Sequence, residues 1–153
     1  MSFDVPVGTR GARQPRAGMM MRFVNNMAAG RIRRSGKMMG FSALILTTVG
    51  AKSGAERSNP VGWFPGKDGG RLIVASAAGA TRNPAWYHNI AAHPDQVRIE
   101  VDGRTIPVTA EQLHGPERDE AWQQIVAAAP RFATYQEKTD RQLPVILLTE
   151  RAG

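Results

Sequence analysis

The chain has 153 residues, enough for one domain with a single well-formed core. It has no cysteine, which excludes disulfides, thiolate metal sites and cysteine nucleophiles, and its net charge of +7 is large for this length. The charge is unevenly spread. No acidic residue lies between Asp4 and Glu56, an interval that holds Arg10, Arg13, Arg16, Arg22, Arg31, Arg33, Arg34, Lys37 and Lys52. Such a segment faces something anionic: nucleic acid, an acidic membrane surface or a phosphate-bearing cofactor.

Residues 1–16 are polar and aperiodic, and disorder is expected there. Met20, Met21, Val24 and Met27 then recur at helical spacing, which predicts an amphipathic helix over residues 17–29, ended by Gly30. Residues 1–39 therefore read as a basic tail plus helix, and residues 40–153 as the folded domain. The continuous β-branched run at 43–49 predicts a buried strand, and Gly50 to Gly54 a turn. Further strands are expected at 59–64 and 71–76, joined by a hairpin turn at Lys67-Asp68-Gly69-Gly70. Residues 77–82 are a small-residue loop. Asn83 should cap a short helix with Pro84 in its first position. A hairpin over 97–109 turns at Asp102-Gly103, a helix follows at 116–128, and a last strand spans 144–148. Hairpins with interspersed short helices point to a mostly antiparallel barrel with helices packed outside, not to regular βαβ units. No apolar run approaches the ~18–20 residues of a transmembrane helix. The N-terminus also lacks the apolar region of a secretory signal, so a cytoplasmic location is expected.

The Gly50-Ala51-Lys52-Ser53-Gly54 turn is not a P-loop, because Ala51 precedes the lysine where the motif needs glycine. Its backbone N–H groups and Lys52 can still meet an anion, with Arg57 close behind; an ordinary charged hairpin is the alternative. Ser76-Ala77-Ala78-Gly79-Ala80 ends a strand with side chains small enough for a flat ring to approach the backbone. The same residues also suit a plain loop beside a packed helix. The helix starting at Asn83-Pro84-Ala85-Trp86-Tyr87-His88-Asn89 could offer its free N–H groups to a phosphate. His88, His93 and His114 have no metal-ligand spacing, so no metal is expected. Neither a nucleophile elbow nor paired acids occur, and any chemistry must come from a bound cofactor.

Taken in order, these residues resemble the deazaflavin-dependent nitroreductase family, the actinobacterial enzymes that use coenzyme F420. The resemblance rests on Leu46-Thr47-Thr48-Val49-Gly50-Ala51-Lys52-Ser53-Gly54, Arg57-Ser58-Asn59-Pro60, Ile73-Val74-Ala75-Ser76, Asn83-Pro84-Ala85-Trp86-Tyr87-His88-Asn89 and Thr139-Asp140-Arg141-Gln142-Leu143-Pro144-Val145. It implies a mainly β, α+β split β-barrel of the FMN-binding, flavin-reductase type with short helices outside. It further implies hydride transfer from reduced F420 to a quinone, a nitro compound or an activated alkene. The cofactor phosphate would lie near Lys52, Ser53, Gly54 and Arg57, alongside Asn59, Pro60 and Val61. The ring would rest by Val74, Ala75 and Ser76, closed over by Ala85, Trp86 and Asn89. Phe132 and Tyr135, on a late helical segment, would line the substrate pocket. Ser76 and Tyr135 are the expected catalytic hydroxyls, Ser76 chiefly to orient a substrate oxygen. Phe132 stands where the prodrug-reducing members carry tyrosine, which argues against bulky nitroimidazoles as substrates.

FMN is the less favoured cofactor, since the Asn-Pro-x-Trp-Tyr signature leans to F420. The expected substrate is small and lipophilic. The basic Met-bearing helix could lay the protein peripherally on the inner face of an anionic membrane. Nucleic acid is not expected, because aromatic interleaving and any recognisable binding motif are missing. A non-catalytic deazaflavin or flavin carrier, or a sensor, is the alternative function.

Overall fold

The continuous run over residues 43–49 decides the architecture, because a strand with apolar residues at both parities must be covered on both faces. The computed structural model describes Phe3, residues 7–11, Gly30, Ile32, residues 36–38 and residues 41–151. Its strands are β1 (Lys37–Met38), β2 (Phe41–Val49), β3 (Glu56–Gly62), β4 (Phe64–Pro65), β5 (Arg71–Val74), β6 (Val97–Val101), β7 (Arg104–Gln112) and β8 (Val145–Glu150). The helices are α1 (Ala85–Ala92), α2 (Gly115–Ala128) and α3 (Arg131–Lys138).

Every strand pairing is antiparallel. The sheet runs β1-β2-β6-β7-β8-β5-β4, with β3 also paired to β2. β3 and β4 thus lie at opposite ends of the path, yet only Trp63 separates them in sequence. The sheet must curl until its two ends meet at that residue, which makes it a split barrel. Trp63 fastens the junction: its N–H donates to the Ser42 carbonyl at 3.0 Å, and its ring packs on the barrel interior.

Leu44 and Leu46 of β2, Ile73 of β5 and Ile146 and Leu148 of β8 fill the interior with Ile99, Ile106 and Val108. The alternate residues of these strands face outward. Leu72, Val74 and Val145 pack with Ala121 and Ile125 of α2 and Phe132 of α3, while Ala43 and Ile45 meet Ile32. Large-to-small changes at such sites typically cost ~2–5 kcal/mol. α1 closes the interior with Trp86, Tyr87 and Ile90, and the Tyr87 hydroxyl donates to Gln112 Oε1 at 2.6 Å.

The expected mostly antiparallel split barrel with external helices is what the chain forms. The details differ in physically instructive ways. The second expected strand begins at Glu56 rather than Asn59 and breaks at Trp63, where the chain changes ends of the sheet. The third stops at Val74, two residues early. Asn83 does not occupy the helix cap; Pro84 does, and Asn83 Oδ1 instead accepts from Arg141. The expected helix over 17–29 lies outside the described residues.

The N-terminal segment expected to be disordered is docked wherever it is described. The Gly8 N–H donates to the Thr81 carbonyl at 2.9 Å, and the Arg10 guanidinium to the Glu137 carbonyl at 2.9 Å. The Thr139 hydroxyl donates to the Arg10 carbonyl at 2.6 Å. Gly11 sits so close that a Cβ there would lie 2.5 Å from the Thr81 nitrogen. Phe3 reaches the Tyr87 ring, edge to face at 5.8 Å. Composition misled here because glycine permits backbone approach without apolar burial.

Asp140 clasps this segment by accepting from the Thr9 hydroxyl, the Thr9 N–H at 2.7 Å and the Arg10 N–H at 3.2 Å. The Thr9 hydroxyl, then the backbone donors, hold its carboxyl below the ordinary value of 3.8. A depressed folded pKa gives a contribution that is complete above the unfolded value and lost as pH falls through the folded one. The exchange protection factor of the Thr9 amide should therefore be intact at neutral pH and collapse in acid below 3.8. Asp140→Asn should lack that titration; undiminished protection in acid by the unsubstituted chain would contradict the clasp.

Candidate active site

The site grows from the end of β5. After Val74 the chain leaves the sheet at fully buried Ala75, reaches Ser76, and makes a 3-10 turn over Ala77–Gly79. Ala77 takes a left-handed φ of 46°, a conformation that costs an L-residue with a Cβ roughly 1–2 kcal/mol. Strain of this kind persists only where surrounding contacts over-determine the backbone.

Those contacts come chiefly from Arg141, whose side chain is 2% exposed. Its Nε donates to the Ala80 carbonyl at 3.1 Å, Nη1 to the Ala75 carbonyl at 3.0 Å and to Asn83 Oδ1, and Nη2 to the Ser76 carbonyl at 2.8 Å. One planar cation thus gathers four acceptors from both ends of the 75–83 loop. All are neutral, and burial pushes the guanidinium pKa down, with the Tyr87 hydroxyl acting the other way. Arginine nevertheless stays charged, because its reference value is so high. Gln136 of α3 brackets the same backbone, donating to the Arg141 carbonyl at 2.7 Å and accepting from the Leu143 N–H at 3.0 Å. On the far side of the loop, Gly79 (φ 81°) lies against α3, where a Cβ would come 2.6 Å from the Tyr135 carbonyl.

So held, the loop forms one wall of a cleft of about 250 Å³. Val74, Ser76 and Ala77 face it from the strand end, Pro60, Val61 and Gly62 from β3, Pro84 and Trp86 from the start of α1, and Arg131, Phe132 and Tyr135 from α3. Phe132 is buried, edge-on to both Phe64 at 5.8 Å and Tyr135 at 5.7 Å, so the α3 wall is rigid. The Ser76 and Tyr135 hydroxyls make no hydrogen bond to another described residue.

Two elements lead from this cleft to the cationic turn. On α1, Trp86 lines the cleft, and Asn89, three residues on and on the same helix face, ties down the turn. Asn89 accepts from the Ala51 N–H at 3.0 Å and donates to Thr48 Oγ1 at 3.1 Å. Along β3, Pro60 and Val61 line the cleft and Arg57 stands four residues away, roughly 13 Å at strand rise. Lys52, Ser53, Gly54 and Arg57 are all exposed, and among the described residues neither cation forms an ion pair. The turn itself is pinned by Gly50 N–H to the Ala55 carbonyl at 2.7 Å.

Of the residues expected at the site, Pro60, Val61, Val74, Ser76, Trp86, Phe132 and Tyr135 therefore meet in one cleft. Lys52, Ser53, Gly54 and Arg57 form the separate, exposed cationic turn, with half-buried Asn59 between the two on β3. Asn89 braces that turn, Ala75 is buried behind Ser76 and Ala85 is exposed on α1. Sequence reading missed Arg141 as the loop's organiser and Arg131 as a cleft residue. Arg141 at least falls inside the 139–145 signature; Arg131 had only its position beside Phe132.

A ring-sized apolar cleft with a small-residue wall, joined along a strand and a helix to unpaired cations, fits a flat heterocycle that carries a phosphorylated side chain. Fold and site together define a split-barrel oxidoreductase of the flavin-reductase type. The chain belongs to the F420H(2)-dependent quinone reductase family, whose family model matches residues 20–150. An F420H(2)-dependent quinone reductase of Mycobacterium tuberculosis is 41% identical over 113 residues, covering 71% of this chain and 74% of that protein. The solved structure of an F420-H2 dependent reductase (FDR-A) is 38% identical with a TM-score of 0.62, covering 70% of this chain and 93% of that one. Campylobacter jejuni ChuZ shares the fold at 14% identity and a TM-score of 0.54, over 91% of this chain and 56% of that one. The protein is accordingly an oxidoreductase that uses coenzyme F420.

Proposed function

We propose that this enzyme reduces small lipophilic quinones in the cleft beside Ser76 and Tyr135. The observation that carries the reading is that both unsatisfied hydroxyls stand in one apolar cleft that connects to a cationic turn. The names of its relatives support quinone as the acceptor class.

In this reading Val74 and Ser76, with Trp86 and Pro60–Val61 across the cleft, would hold the deazaflavin ring. Lys52, Ser53, Gly54 and Arg57, with Asn59 between them and the cleft, would meet its phosphate-bearing side chain, and Asn89 holds that turn in register. When bound, the reduced cofactor supplies a hydride. The chain's part is to align the acceptor and exclude water, which Phe132 and Trp86 do by filling the walls. Ser76 donates a hydrogen bond to the quinone oxygen, and Tyr135 or solvent returns the proton. Anaerobic mixing of F420H2 with the protein and a soluble naphthoquinone should give turnover. Ser76→Ala should lower kcat/KM about tenfold, the worth of one hydrogen bond, with F420 affinity retained. Binding of F420 without turnover on any quinone would contradict the reductase reading and leave a carrier.

A membrane-surface location is a second proposal, favoured by the acid-free interval from Asp4 to Glu56. Among the described residues no helix is long and apolar enough to cross a membrane. Basic residues near an anionic surface contribute about 1 kcal/mol each. Replacing Arg31, Arg33 and Arg34 by serine should therefore weaken partitioning to phosphatidylserine vesicles about a hundredfold. Equal partitioning of the substituted chain would contradict it.

A further inference from the structure

Arg131 is the one formally charged residue lining the cleft among the described residues. It is half-buried at the first turn of α3, and its guanidinium lies over the Phe132 ring, 5.2 Å from the centroid. Phe132 is itself buried and wedged against Phe64, so the stacked cation is held against a fixed platform. Once a ligand displaces water from the cleft, a cation on its wall acts more strongly on charge there than it would in bulk water. Arginine cannot serve as a general acid, because it does not give up its proton at working pH. Its use in such a place is to bind or stabilise negative charge.

We propose that Arg131 anchors the acceptor's oxygen and selects acceptors that carry, or acquire on reduction, negative charge there. The inference rests on the quinone-reductase reading. In that reaction the donor ring loses a hydride and is oxidised. The quinone gains two electrons and one hydrogen and becomes the hydroquinone monoanion. A proton from solvent completes the hydroquinone. The negative charge builds on the quinone oxygen, and Arg131 is the cleft-wall cation able to meet it without a proton transfer, beside the neutral Ser76 hydroxyl. The same arrangement makes a quinone with an ionised hydroxyl a better ligand than its neutral ether.

The test uses the full chain with oxidised F420 bound, so that ligand affinity is read without turnover. Equilibrium dialysis compares 2-hydroxy-1,4-naphthoquinone, ionised at neutral pH, with its neutral 2-methoxy ether. The unsubstituted chain should favour the anion by about tenfold, the effect of one charge-assisted hydrogen bond. Arg131→Gln should abolish that preference while binding the ether as before, and Arg131→Lys should keep part of it. In turnover with the ether, Arg131→Gln should lower kcat and leave the ether's dissociation constant unchanged. An anion preference that survives Arg131→Gln, or an equal loss of both ligands, would overturn the proposal. Either result could be obtained with F420H2 still oxidised by the ether at the normal rate, which would leave the quinone-reductase reading standing. Failure of the unsubstituted chain to oxidise F420H2 with any quinone would instead remove the reading on which the proposal depends.

Discussion

The guanidinium of Arg141 sets the shape of the loop on which the whole site depends. A buried cation without a carboxylate is costly unless its donors are met, and here the carbonyls of Ala75, Ser76 and Ala80 and the Asn83 amide oxygen take four of the five N–H groups. The exchange works in both directions. The Ala75 and Ala80 carbonyls would lose their donor without the cation, whereas the Ser76 carbonyl also accepts from the Gly79 N–H at 2.9 Å. Because the acceptors come from both ends of the 75–83 segment, their satisfaction fixes the exit of β5 and the entry of α1 together. Ser76 and Trp86, which sit on those two ends, acquire a defined separation across the cleft as a consequence.

Barrel closure supplies the frame for that arrangement. With β3 and β4 separated by Trp63 alone, the sheet brings Pro60 and Val61 round to the end of β5, more than ten residues later in the chain. α3 completes the enclosure from outside, carrying an apolar face of Phe132 against the sheet and a polar edge of Gln136 against the Arg141 backbone. The cleft is thus made where β3, the end of β5, the start of α1 and α3 converge. Loop residues held this way combine precise placement with freedom to carry function.

Much of the fold was legible because continuous apolar and β-branched runs bounded by turn residues, such as residues 43–49, read directly as buried strands. The Asp102-Gly103 hairpin was equally plain, since both residues take positive φ there, at 52° and 75°. Of the residues that line the cleft, Ser76 and Trp86 were named through the family motifs and Tyr135 through the aromatic pair that the resemblance implies; local pattern alone left a plain loop open. Arg141 was illegible as a structural centre because an isolated arginine reads as surface, and its acceptors lie 58 to 66 residues away in sequence. Asn83 misled for the same reason: Asn-Pro looks like a helix cap until a distant guanidinium takes the amide oxygen. The docked N-terminal residues hid behind a composition that signals disorder, since glycine-mediated backbone contact leaves no hydrophobic trace.

The central claim is that the Arg141-held loop forms the cofactor cleft. It is tested most directly by titrating F420 into the full chain and into Arg141→Lys, following tryptophan fluorescence with Trp63 and Trp122 replaced by phenylalanine so that Trp86 alone reports. An ammonium with three donors on a flexible stem cannot reproduce the planar fork that reaches all four acceptors. At a temperature where circular dichroism finds both proteins folded, the account predicts saturable quenching by F420 in the parent and at least about tenfold weaker binding in Arg141→Lys. Equal affinity in the two proteins, or no response of Trp86 to F420 in either, would contradict it.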